Sequence, residues 1–241
     1  MYDQLAPYYD EIYANKDYKN ECVDLIKIFK LNSFEPHTIL DIGCGTGTHA
    51  AMLKSMGYDV HGIDISEGMI EVAQKKYPHG WFRVEDIRNM VVEEERDAII
   101  SMFATMSYLA KPGDFTAALR NVRKALKPGG LFIFDGWNKS AVNAASRPNG
   151  KIKDLGEGLL KYTEMYTSEN KRIATNKFML MDMNSGLVIK DESPLLLFDQ
   201  YFLADLFSME GFKLVDYWKS YSMSEPNVTD WKVTVVARKL A

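Results

Sequence analysis

As far as residue 137, segments with hydrophobic residues at helical spacing alternate along the chain with short apolar runs. Within 18–31 apolar residues return at helical spacing, whereas 38–42 is a short, nearly continuous apolar run that is typical of a buried strand. The same analysis predicts strands at 38–42, 58–63, 81–84, 98–103 and 131–134, and helices at 18–31, 48–55, 66–76 and 115–126. Strands that alternate with helices predict a parallel sheet with helices on both faces.

The pattern changes after Trp137. Residues 138–158 are rich in Asn, Gly, Ser and Lys and predict a loop. Runs of β type follow at 159–166, 173–181 and 187–198, then a helix at 200–209 and strands at 212–218 and 231–237. We therefore predict one domain over 1–241, of class α/β with a doubly wound, mostly parallel sheet, interrupted by an antiparallel β insertion at 138–198.

Composition narrows the class of protein. The 241 residues are 46% hydrophobic and carry a formal net charge of -4, which gives no electrostatic case for a nucleic-acid partner. No apolar stretch approaches the roughly 20 residues that span a bilayer, and the first residues do not resemble a signal peptide. Two cysteines fit a reducing compartment, and the four histidines are dispersed. We expect a soluble cytoplasmic protein with no membrane partner and no metal site.

The strongest local signal is the segment ILDIGCGTG at 39–47, where a strand meets closely spaced glycines before a helix. Glycines let the backbone turn sharply and approach a ligand. The spacing is G-x-G-x-G, which differs from the G-x-G-x-x-G of nicotinamide-binding proteins. The preceding acidic residue, Asp41, suits the cationic amino-acid end of a ligand better than a diphosphate.

Two further carboxylates follow the next strands. Asp64 stands about 20 residues after the glycine turn, a spacing that suits hydrogen bonds from ribose hydroxyls. A solvated strand end or a helix cap is the alternative interpretation. Asp86 follows the third predicted strand, at the sheet edge where ligands of doubly wound folds collect.

With these motifs the chain resembles the class I S-adenosylmethionine-dependent methyltransferases. The resemblance rests on LDIGCGTG (40–47), GIDIS (62–66), VEDIRN (84–89) and LKPGG (126–130). It implies a Rossmann-like, seven-stranded sheet with a reversed last strand at 231–237, and S-adenosylmethionine as the cofactor. The cofactor-binding residues that it implies are Asp41, Gly43, Cys44, Gly45, Asp64, Ile65, Met69, Asp86, Ile87 and Met102.

A looser resemblance links 8–21, 101–109 and 134–138 to bacterial nucleotide-linked amino-sugar N-methyltransferases. It implies that residues 1–35 cover the cofactor, with Tyr9 and Tyr18 in contact with it. It also implies that the insertion shapes the acceptor pocket, and the same insertion could serve as a homodimer surface. Tyr108 and Asp135-Gly136 depart from the residues expected in that group.

Methyl transfer from a sulfonium needs orientation of the two reactants and exclusion of water more than a strong base. No compact pair of base and nucleophile is visible, so we predict Tyr108, Asp135 and Trp137, near strand ends, as the catalytic side chains. Each has a structural alternative in the core or as a cap. Three functions stay open: N-methylation of a nucleotide-linked amino sugar, O- or C-methylation of another small metabolite, and cofactor binding without catalysis.

Overall fold

The computed structural model describes residues 2–145, 150–167 and 171–241. Its strands are β1 (Thr38–Ile42), β2 (Asp59–Asp64), β3 (Trp81–Val84), β4 (Arg96–Ser101), β5 (Leu126–Asn138), β6 (Lys151–Gly156), β7 (Leu159–Thr167), β8 (Ile173–Asp182), β9 (Val188–Phe198), β10 (Phe212–Lys219) and β11 (Lys232–Lys239). Its α-helices are α1 (Tyr2–Leu5), α2 (Tyr9–Ile12), α3 (Tyr18–Leu31), α4 (Thr48–Ser55), α5 (Glu67–Lys76), α6 (Asp114–Ala125), α7 (Lys139–Ala144) and α8 (Gln200–Met209).

Strands β3-β2-β1-β4-β5 are adjacent in that order and parallel, as the alternating sequence pattern predicts. The last strand is reversed, since β11 pairs antiparallel with both β5 and β10. Helices α6 and α8 bury their apolar stripes on one face of this sheet, and α3, α4 and α5 cover the other. The predicted doubly wound α/β class is confirmed.

Strand β5 joins the insertion to this sheet. Its body pairs with β4 and β11, and its last two residues, Trp137 and Asn138, continue in parallel with Leu197 and Phe198 of β9. Strands β9, β8, β7 and β6 follow in antiparallel order. The sheet therefore has eleven strands among the described residues, and the expected seven-stranded sheet is corrected to this larger one.

The largest differences between the sequence predictions and the structure lie at three places. Strand β5 spans Leu126–Asn138, whereas the fifth strand was predicted only at 131–134. Strand β4 ends at Ser101 rather than at residue 103, because Phe103 and Ala104 adopt left-handed φ angles of 65° and 61°. The predicted loop at 138–158 contains α7 and β6, although residues 146–149 of it lie outside the described residues. The side chain of Asn138 caps α7 by accepting a hydrogen bond from the backbone N–H of Ser140.

No helix in the described part of the chain is both long enough and apolar enough to cross a bilayer.

Replacing Gly136 with alanine should weaken the junction between β5 and β9. A Cβ at this position would lie 2.4 Å from Cδ2 of Phe198, a fully buried ring. Overpacking of this kind costs about 2 kcal/mol of the free energy of unfolding, which urea denaturation would measure. In a Phe198→Leu background the same substitution should cost less, and equal costs in both backgrounds would contradict the clash.

Candidate active site

The glycine turn follows β1 at the carboxyl edge of the parallel strands. Gly43 and Gly45 have φ angles of 70° and 55°, a region that side-chain-bearing residues rarely adopt. The backbone N–H groups of Gly43 and Cys44 both donate to the carbonyl of Ile63 on β2. A Cβ on Gly43 would meet the side chain of Thr105 at 2.3 Å. The turn is thus fixed against two neighbouring segments and needs glycine.

Asp64, at the end of β2, holds the turn to the start of α5. Its Oδ2 accepts a hydrogen bond from the N–H of Gly45 at 2.9 Å, and its Oδ1 accepts one from the N–H of Ser66 at 2.9 Å. Burial raises the pKa of this carboxyl, and the two backbone donors oppose the rise. Each oxygen keeps a lone pair for a further donor, such as a ribose hydroxyl.

Asp41 lies beneath the turn with 1% of its surface exposed. Its Oδ2 has no hydrogen-bond partner among the described residues. Burial raises the pKa of the carboxyl to about 6. A buried carboxylate oxygen without a partner is a costly feature, and it fits a cationic group bound above the glycine turn.

A cavity of about 210 Å³ opens over these residues. Of the predicted cofactor residues, Tyr9, Gly43, Gly45, Asp64, Ile65, Met69, Asp86 and Ile87 line it. Tyr18, Asp41, Cys44 and Met102 lie outside its wall. Tyr18 packs edge-on against the ring of His49, and Cys44 and Met102 are buried in the core beneath α3 and α4.

Arg88 also lines this cavity and was not predicted. Its guanidinium pairs with Asp86 at 2.6 Å and with Asp114 at 2.9 Å. Arg88 holds the pKa of Asp86 below its usual value, so that carboxylate stays charged. Arg88 belongs to the motif VEDIRN, but the sequence does not indicate that its side chain faces the cavity.

The N-terminal segment, residues 2–13, lies across the cavity and is tethered by two carboxylates. Asp3 accepts hydrogen bonds from the Oγ of Ser66 at 2.7 Å and the N–H of Gly68 at 3.0 Å, at the start of α5. Asp10 accepts one from the Oγ1 of Thr46 at 2.7 Å and pairs with Lys76 at 2.6 Å. These contacts bring the N-terminal tyrosines over the glycine turn.

A second cavity, of about 430 Å³, lies between the N-terminal segment and the inner face of the insertion. It shares four wall residues with the first cavity: Tyr2, Tyr9, Phe103 and Tyr108. The hydroxyl of Tyr2 donates to that of Tyr108 at 2.7 Å. The two cavities therefore meet at a wall of aromatic rings.

The three predicted catalytic residues fall into two groups. Tyr108 and Trp137 line the second cavity. Asp135 lies outside the wall, with 2% of its surface exposed, and accepts a hydrogen bond from the N–H of Ala104 at 2.7 Å. The same carboxylate lies 3.6 Å from Nζ of Lys232. Asp135 thus holds the left-handed turn on which Phe103 sits.

Comparison with known proteins finds similarity in the part of the chain that carries the glycine turn. Residues 39–130 match the family model described as a methyltransferase domain, so the predicted resemblance is confirmed. The match covers the parallel half of the sheet and the start of β5, the segment that carries all four quoted motifs.

Among curated proteins, the chain is 31% identical over 134 residues to dTDP-3-amino-3,4,6-trideoxy-alpha-D-glucopyranose N,N-dimethyltransferase of Streptomyces venezuelae. This alignment covers 55% of the chain and 56% of the relative. The chain thus spans about half the length of the curated relatives it matches.

Two solved structures show the fold over nearly the whole chain. An S-adenosylmethionine-dependent methyltransferase from Clostridium acetobutylicum has a TM-score of 0.85 at 19% identity, covering 100% of this chain and 99% of its own. DesVI of Streptomyces venezuelae has a TM-score of 0.79 at 22% identity, covering 98% of both chains. The insertion is therefore part of a fold that these two proteins share with the chain.

Replacing Asp41 with asparagine should stabilise the protein at neutral pH in the absence of ligands. The rise in pKa from 3.8 to about 6 means that the folded state binds the proton more tightly than the unfolded chain. The ionised carboxyl therefore lowers the free energy of unfolding, by about 3 kcal/mol at pH values above 6. The effect disappears as the pH falls below about 4.

Because the amide remains buried without a partner, we expect a gain of about 1–3 kcal/mol at pH 7.5 that shrinks towards pH 4.5. Urea denaturation at both pH values measures it. Asp59→Asn, at the exposed start of β2, is the control and should change little. A loss of stability in Asp41→Asn at pH 7.5 would contradict the raised pKa of Asp41.

Proposed function

We propose that the protein transfers the methyl group of S-adenosylmethionine to the amine of a nucleotide-linked amino sugar. The observation that carries this proposal is the junction of the two cavities at Tyr2, Tyr9, Phe103 and Tyr108. One cavity is built on the glycine turn, on Asp64 at the end of β2 and on Asp86 after β3, and the other is built on the insertion. A donor and an acceptor bound in them would meet at the shared aromatic wall.

The first cavity fits the cofactor. Gly43 and Gly45 leave room for its methionine part, Asp41 supplies buried negative charge below, and Asp64 can accept from ribose hydroxyls. Ile65 and Met69 would flank the adenine, with Asp86 and Ile87 at its edge. When bound, the cofactor supplies an activated methyl group on a positively charged sulfur. Tyr9 and Phe103 present aromatic rings at the junction, and such rings favour a nearby cation.

The second cavity would orient the acceptor. A neutral amine is already nucleophilic, so the residues around it need to position it and exclude water rather than provide a strong base. Tyr108 and Trp137 border this cavity, and the hydroxyls of Tyr2 and Tyr108 offer hydrogen bonds at the junction. The curated relative from Streptomyces venezuelae is named as an enzyme that acts on a dTDP-linked amino sugar, which supports this class of acceptor.

The proposal also covers the compartment, the partners and the oligomeric state of the protein. Its cysteines, Cys22 and Cys44, are buried free thiols, which suits the reducing cytoplasm. The formal net charge of -4 argues against a nucleic-acid partner. A homodimer formed through the insertion is part of the proposal, and analytical ultracentrifugation would test it by giving a dimer mass.

Asp64→Ala tests the cofactor assignment. The substitution removes the acceptor of the Gly45 and Ser66 N–H groups and of the ribose hydroxyls, so affinity for S-adenosylhomocysteine should fall roughly tenfold or more in calorimetry. Glu71→Gln, on the exposed side of α5, is the control and should bind like the wild type.

Activity would be measured with labelled S-adenosylmethionine and a panel of dTDP-linked amino sugars. Transfer to an amino sugar supports the proposal. Binding of S-adenosylhomocysteine with transfer only to another metabolite overturns the acceptor, and binding without any transfer supports the non-catalytic alternative. Unchanged affinity in a folded Asp64→Ala protein would refute the ribose role.

Asp135→Ala tests the positioning role of that carboxylate. Without an acceptor for the N–H of Ala104, the strained turn at Phe103 is free to relax, because left-handed conformations cost about 1 kcal/mol or more each. We expect kcat to fall roughly tenfold while affinity for S-adenosylhomocysteine changes little. Asp135→Asn keeps the acceptor oxygen and should recover much of kcat. Wild-type kcat in the alanine variant would rule out this role.

A further inference from the structure

The inner face of the insertion carries an unusual arrangement of charges. Side chains of antiparallel neighbours that face each other share one face of a sheet. Lys153 of β6 stands opposite Lys161 of β7, and Lys151 stands opposite Thr163. Lys151, Lys161 and Thr163 line the second cavity, which places this row of lysines on the cavity side.

Directly opposed like charges destabilise a pair of strands. Lys161 is partly buried, with its ammonium 4.5 Å from the centre of the Tyr13 ring. Burial and the charge of Lys153 together lower the pKa of Lys161. No carboxylate of the described residues forms an ion pair with Lys151, Lys153 or Lys161, whereas Lys232, the third lysine of the cavity wall, pairs with Asp135.

The outer face of the same strands is balanced. Glu164 of β7, Lys177 of β8 and Glu192 of β9 stand in one row across the sheet. The hydroxyl of Tyr166 donates to Glu192 at 3.0 Å, and Lys177 lies over the Tyr166 ring. Glu164 also borders the second cavity, but its charge acts on Tyr162 and Lys177 of the outer face. On the cavity side, by contrast, Lys153 and Lys161 oppose each other directly.

Edge-strand protection explains only part of this pattern. Strand β6 is the last strand of the sheet, and lysines on edge strands discourage pairing with other chains. Lys161, however, is on β7, which has partners on both sides. Edge-strand protection therefore does not explain why Lys161 is partly buried beside another lysine. An anion that enters the cavity and binds both lysines would explain it.

The two ends of the cavity side also differ in charge. Asp191 of β9 is in the same row as Phe178, Thr163 and Lys151. Asp191 is close enough to Tyr108 to help burial raise the pKa of its hydroxyl. At about 4.8 Å per strand, β7 lies roughly 10 Å and β6 roughly 14 Å from β9. Negative charge thus lies at the Tyr108 end and positive charge at the far end.

We propose that Lys161 and Lys151, with Lys153 beside them, bind the phosphate groups of the acceptor and thereby direct its amine towards Tyr108. Lysine ammonium groups bind phosphates as point charges, and an anion between Lys153 and Lys161 would relieve their repulsion. The orientation of the acceptor rests on the proposed function, but the anion site is testable without methyl transfer.

The test is calorimetric titration of thymidine diphosphate, and separately of inorganic pyrophosphate, into the protein saturated with S-adenosylhomocysteine. Wild type is compared with Lys161→Met, which keeps an unbranched side chain, Lys161→Arg, which keeps the charge, and Lys151→Ala. The matched control is Lys190→Ala, an exposed lysine on the outer face of β9. Thermal unfolding of each variant verifies that it is folded.

We expect Lys161→Met to weaken binding of thymidine diphosphate at least tenfold and Lys151→Ala severalfold, with Lys161→Arg and Lys190→Ala close to wild type. Parallel losses for pyrophosphate would show that the lysines bind phosphate itself, and an unchanged affinity in Lys161→Met would overturn the site. If the wild type binds neither probe but methylates an amino sugar, the anion site is wrong and the proposed function stands. If thymidine diphosphate binds through Lys161 but no transfer occurs, the anion site stands and the function fails.

Discussion

The pairing of the last two residues of β5 with β9 is the constraint on which the rest of the site depends. Backbone N–H and C=O groups at a buried strand end must be paired. Here the Asn138 N–H donates to the carbonyl of Trp231 on one side, and β9 of the insertion pairs with Trp137 and Asn138 on the other. This continuation places the inner face of β9, β8 and β7 above the carboxyl edge of β4. Without it, the second cavity would have no wall opposite Tyr108.

Secondary structure was predictable wherever local pattern and tertiary burial agree. β1, β3, α3 and α8 have the predicted bounds because each is buried on the face that its apolar spacing indicates. β6 was missed because it is an exposed edge strand, ordered by pairing with β7 rather than by its own sequence. The eleven-stranded sheet was missed because strand-to-strand contact between β5 and β9 leaves no periodic signal.

The candidate site was predictable where a motif fixes the backbone, as in the turn at Gly43 and Gly45. It was less predictable where a side chain acts through another group. Asp135 was expected at the reacting atoms, yet it holds the N–H of Ala104. The Tyr2 contact with Tyr108 spans a sequence separation of 106 residues, and no local pattern encodes such a partner.

The walls of the two cavities divide the chain into parts that can change independently. Among the described residues, none of those lining the smaller cavity comes from β6, β7, β8 or β9. These strands supply much of the larger cavity, including Lys161 and Asn176. Substitutions on them therefore alter what fits the larger cavity while the smaller cavity stays intact. A change of ligand preference on this scaffold therefore runs through the insertion, and only the aromatic wall of Tyr2, Tyr9, Phe103 and Tyr108 has to serve both cavities.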